Sequence, residues 1–136
     1  MTEELQDKYA NFHDGIIVKH LIDFKNKKTE ITIKMSCYED NVEFKIYRLE
    51  FENVELQNFD SFNDCNIIYE IGECRNCTAI EYSRSNYLYE RKDYINEKVL
   101  EKIKQNEFLK FYYIESTVGL QGIIVCKSLI ISQVEY

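Results

Sequence analysis

Cys74-Arg75-Asn76-Cys77 has the spacing of a redox dithiol or of half a zinc site. A redox pair needs its attacking thiol acidified, commonly at a helix start, yet Gly72 and Glu73 precede the motif and no helix signal follows it. A structural zinc ion takes four ligands, usually from two such knuckles, and this chain has one, with Cys65 and a histidine as distant completions. His13-Asp14 pairs an imidazole with a carboxylate, the types that orient a general base. Neighbours diverge on entering a strand, so the plainer reading is that Phe12 anchors the chain, Asp14 holds a turn and Gly15 admits the backbone to a sheet.

The four glycines, at 15, 72, 119 and 122, are too scattered for a phosphate loop or a dinucleotide fingerprint. HExxH, Gly-x-Ser-x-Gly and calcium-loop patterns do not occur. The sequence therefore points away from an enzyme and implies no cofactor and no metal. The competing reading is a small thiol- or metal-dependent enzyme built on Cys65, Cys74 and Cys77.

Charge is more informative than these motifs. The chain has 24 acidic and 17 basic residues, a formal net charge of -7. Between Leu49 and Cys74 lie Glu50, Glu52, Glu55, Asp60, Asp64, Glu70 and Glu73, with no lysine, arginine or histidine among them. These carboxylates account for the whole surplus and leave the remaining residues balanced. Such a stretch repels nucleic acid and anionic membranes, and it attracts a basic protein and speeds its encounter. With Phe59, Phe62 and Tyr69 as apolar anchors, the expected partner-binding set is Glu50, Glu52, Glu55, Phe59, Asp60, Asp64, Tyr69, Glu70 and Glu73. The blander alternative is a solvated face that maintains solubility.

The elements that would carry these residues follow from periodicity. Gly15 to Phe24 is apolar on both parities, as for a strand buried on much of both faces. After the polar turn Lys25 to Lys28, the stretch Thr29 to Cys37 alternates, with Ile31, Ile33 and Met35 on one side. A turn at Tyr38 to Asn41 leads to a third strand, in which Val42, Phe44 and Ile46 share one parity and Leu49 and Phe51 the other. A bulge near Tyr47 and Arg48 would restore a single apolar face.

Ile67 to Ile71 reads as a fourth strand, and Asp93 as the cap of an amphipathic helix running to about Gln105. Phe108 to Ile114 and Gly122 to Ile131 read as a closing hairpin. The expectation is one α+β domain over residues 1–136, with residues 1–10 a short helix or arm. It has about six mainly antiparallel strands, a meander plus a C-terminal hairpin, and one main helix near 93–105.

A length of 136 residues suits one domain, and 45% hydrophobic residues suffice for a core. The amino terminus is polar and acidic rather than signal-like, no apolar run approaches the roughly 20 residues of a membrane span, and the five cysteines are odd in number. Together these imply a cytoplasmic protein with free thiols.

Phe12-His13-Asp14-Gly15-Ile16 entering a first strand, followed by a meander and Leu49-Glu50-Phe51-Glu52-Asn53-Val54, resembles small bacterial immunity-type proteins of polymorphic toxin systems. The similarity covers roughly residues 11–73. It implies a noncatalytic α+β protein that blocks a cognate toxin, often through an acidic face set against a basic nuclease, and it transfers no catalytic residue. A third class is a scaffold or homo-oligomer whose exposed strands pair edge to edge.

Overall fold

Alternating apolar residues build the described part of the chain almost wholly as antiparallel sheet. The computed structural model describes residues 10–36, 44–61, 63–73 and 109–134. A 3-10 turn, Ala10–Phe12, precedes β1 (Ile16–Asp23), β2 (Lys28–Ser36), β3 (Phe44–Glu52), β4 (Leu56–Asp60), β5 (Ile67–Glu73), β6 (Lys110–Val118), β7 (Gln121–Cys126) and β8 (Ser128–Val134). The expected α+β class with six strands and a main helix is thus corrected: the described residues form eight antiparallel strands and no α-helix. The segment 93–105 lies outside the described residues, as do residues 1–9, the turn at 38–41, Val42, Phe62, Cys74 and Cys77.

The strands pair in the order β4-β7-β6-β5-β1-β2-β3-β8. β4 continues β3 past a corner at Asn53–Glu55, and β8 continues β7 past the single residue Lys127. Because β3 pairs with β8 and β4 with β7, two bent segments hold each other on both sides of the bend. Two amides pin that corner, Glu55 N donating to the Val125 carbonyl at 2.8 Å and Lys127 N to the Glu52 carbonyl at 3.1 Å. The path from β7 through β6, β5, β1, β2 and β3 to β8 therefore returns to its own start, and the sheet curls into a barrel-like closure.

The seam is where β5 meets β1. Ile16 is the only β1 residue in register with β5, opposite Ile67. Ile17 N donates to the Asn66 carbonyl and Ile68 N to the Gly15 carbonyl, at 2.9 and 2.8 Å. Phe12 is fully buried, as its anchoring role requires, and a Cβ on Gly15 would come within 2.6 Å of the Met35 sulfur.

One core cluster fills the enclosed side. β2 and β3 supply Ile31, Ile33, Leu49 and Phe51, and the facing strands supply Ile68, Ile71, Tyr112, Ile114 and Ile124. The expected alternation in β2 holds: Ile31 and Ile33 are buried and Met35 packs against the cluster.

Two strand-level expectations change. β1 is not covered on both faces, because its register shifts between Ile17 and Lys19; Ile17 is buried while Val18, Leu21 and Ile22 stay exposed. β3 has no bulge near Tyr47, since its pairing with β2 runs unbroken from Phe44 to Phe51. Its apolar parities instead serve two faces, with Leu49 and Phe51 in the core cluster and Ile46 buried on the opposite side. Among the described residues no helix is long and apolar enough to cross a membrane.

Candidate functional site

Directly paired residues of an antiparallel sheet point to the same face. On the outer face, Leu21 of β1 is the partner of Glu30 in β2, Glu30 of Glu50 in β3, and Glu50 of Ile130 in β8. The register thus builds a transverse row with two glutamates opposed at its centre and exposed leucine and isoleucine at its ends. Like charges directly opposite each other destabilise a sheet. Two cations compensate from the sides: Arg48 Nε lies 3.4 Å from Glu30, an ionic contact without a hydrogen bond, and Lys28 Nζ lies 3.6 Å from Glu50. These pairs are partly exposed, so each contributes at most about 1 kcal/mol.

Glu52 shares this face, two residues further along β3. Glu55 sits at the corner, where the Lys27 ammonium lies 3.2 Å from both of its oxygens. The remaining residues of the expected set lie elsewhere. Phe59 packs against the core, its ring 4.6 Å from that of His20. Asp60 ends β4 and accepts from the Ser61 hydroxyl, and Asp64 is exposed in the β4–β5 connection. Tyr69 and Glu70 belong to β5, which β1 and β2 separate from β3, and Glu70 accepts from the Tyr113 hydroxyl at 2.6 Å. Glu73 closes the same strand. The structure therefore joins Glu50 and Glu52 and distributes the others, and it adds Glu30, Leu21 and Ile130, which the acidic run could not reveal.

The His13–Asp14 pair is exposed. His13 Nδ1 lies 2.8 Å from the Tyr69 carbonyl, to which it donates when protonated there, and Nε2 lies 3.5 Å from Asp14. Only the imidazolium serves both partners as a donor. Between the β1–β2 turn (Asp23, Phe24, Lys27) and the corner (Glu55, Leu56, Gln57) opens a cleft of about 320 Å³.

His20 is the other histidine. Burial lowers its pKa below the usual imidazole value, and its Nε2 has no hydrogen-bond partner, so the neutral ring is the stable form beside Phe59.

Among the described residues, no group of three or more His, Cys, Asp or Glu side chains is placed to hold a metal ion. Cys65 is exposed and Cys126 is buried in the core. Burial pushes the Cys126 thiol up to about 12, with a backbone hydrogen bond from Ser128 opposing the shift only partly. At pH 8 such a group is thiolate in roughly one part in ten thousand. Alkylation of the native protein followed by peptide mass mapping should therefore label Cys65 at least about a hundredfold faster than Cys126. Comparable rates would contradict the burial of Cys126.

No family model matches the chain, and no curated protein or solved structure matches it.

Proposed function

We propose that this chain is a noncatalytic protein-binding domain of the immunity type, which engages a basic protein partner through the outer face of β2, β3 and β8 and acts by occlusion rather than by chemistry. The observation that carries this reading is the direct apposition of Glu30 and Glu50, with Ile130 exposed beside them. Arg48 and Lys28 compensate these carboxylates only from the sides, and a lysine or arginine from a partner entering between them would add charge-assisted hydrogen bonds to both. Exposed aliphatic flanks supply contact area that charge alone lacks. The acid-rich run from Glu50 to Glu73 and the likeness of residues 11–73 to immunity-type proteins support the same class of partner.

The test is association kinetics with a partner recovered by affinity capture. Neutralising both carboxylates, as Glu30→Gln with Glu50→Gln, should slow association roughly tenfold at low salt and flatten its salt dependence. The same change should leave folding stability within about 1 kcal/mol, because repulsion and two exposed ion pairs are removed together. An unchanged rate with unchanged salt dependence would reject this surface.

A further inference from the structure

Beyond Ile17, the edge of β1 that faces away from β2 is paired with no other strand among the described residues, although the His20 ring packs on Phe59 of β4. The same short stretch holds much of the exposed apolar surface: Val18, Leu21, Ile22 and, just past its end, Phe24, which is 84% exposed. An unpaired apolar edge is a template for another strand, and natural proteins usually blunt it with a lysine or a bulge. β1 has both, Lys19 and the register shift between Ile17 and Lys19. The shift, however, lies at the end of the strand next to the seam and leaves His20 to Asp23 regular.

The outward side chains of that regular part are Lys19, Leu21 and Asp23, paired with Thr32, Glu30 and Lys28 of β2. Read in either direction, the order is charge, aliphatic, opposite charge. An antiparallel copy centred on Leu21 would set Lys19 against Asp23 of the second molecule, Leu21 against Leu21, and Asp23 against Lys19. The backbone permits this register. The Ile17 amide points to β5, and alternation carried across the one-residue shift leaves the peptide groups of His20 and Ile22 facing the open edge. His20 and Ile22 would then exchange hydrogen bonds across the twofold axis. Lys19, Leu21 and Asp23 would occupy the intervening positions, where opposed side chains approach most closely.

We infer that β1 is a self-association edge, on which a second copy of this chain docks by antiparallel strand pairing about a twofold axis at Leu21. A twofold contact demands a self-complementary surface, and the Lys19-Leu21-Asp23 pattern supplies one. Asp23 is ionised for this purpose: the Asn26 amide and side chain, which donate to it at 3.0 and 2.8 Å, hold its carboxyl below the usual range. Pairing would also extend the row of Leu21, Glu30, Glu50 and Ile130 across the axis, so that one sheet face displays four glutamates.

Sedimentation velocity of the full chain over a range of concentrations tests the inference. The parent should pass from monomer to dimer. Leu21→Arg should remain monomeric and, at concentrations where the parent is also monomeric, keep its circular dichroism melt because Leu21 is exposed. Lys19→Asp and Asp23→Lys should each weaken association at least tenfold, and the two together should restore it to within a few fold. In a second arm, Leu21→Cys should form a covalent dimer on mild oxidation, since a residue on the axis meets itself, whereas Lys19→Cys should not. A parent that is monomeric at every concentration, a dimer indifferent to these substitutions, or a double exchange without recovery would each overturn it.

Discussion

Replacing Gly122 with valine is expected to detach β4 from the sheet and to destabilise the protein by about 3 kcal/mol or more. Valine is a favoured strand residue, so local propensity predicts the opposite. The cause is close approach. Gly122 is buried, lies opposite Phe59, and an added Cβ would run into the Asn58 carbonyl oxygen and stand 2.9 Å from the Phe59 Cα. Both are backbone atoms, which yield only if the whole strand moves, and the same Cβ would also stand 2.7 Å from the Phe59 ring. The thermal midpoint should fall by on the order of 10 °C, with early loss of hydrogen-exchange protection at the amides of β4. A melt within about 2 °C of the parent would mean that β4 does not lie against β7 as described.

Truncating Phe51 to alanine should cost about 3–5 kcal/mol, measured by reversible urea unfolding. Its side chain is fully buried, it stands opposite Thr29 on one side and Leu129 on the other, and its ring meets Tyr112 edge-on with centroids 5.5 Å apart. The loss removes apolar burial and an aromatic pair, and it opens a cavity just before the corner where β3 becomes β4. Glu52→Ala, one residue further on and directed to the other face, should change stability by no more than about 0.5 kcal/mol. A cost below about 1 kcal/mol at Phe51 would be incompatible with its place in the core.

The meander was legible because β2 alternates strictly, and each inward residue named from the sequence is inward in the structure. β1 misled for the same reason it matters. Its apolar residues occupy both parities, which looks like double burial, whereas a register shift and an open edge leave most of them in solvent. β4 was hidden because Leu56-Gln57-Asn58-Phe59-Asp60 has no apolar alternation; what makes it a strand is its partner β7, whose Gly122 makes room for Phe59. The expected C-terminal hairpin became three strands because Lys127 breaks one long run at the corner.

The acidic run was plain in the sequence, but its neutralisation was not. Lys27 and Lys28, which meet Glu55 and Glu50, come from the preceding hairpin, and Glu30 comes from another strand. Register alone brings these groups together, and register is a long-range property that residue type cannot announce.

The pairing of β3 with β8 has a consequence for biosynthesis. Glu50 finds its neighbour Ile130 about eighty residues later, so a nascent chain leaving the ribosome carries β1, β2 and β3 well before β8 emerges. Throughout that interval β3 presents a second unsatisfied border, and ring closure waits until β8 has emerged. Folding should accordingly be slow for a molecule of this size and finish only once β8 is free to pair, with chaperone demand concentrated in that delay.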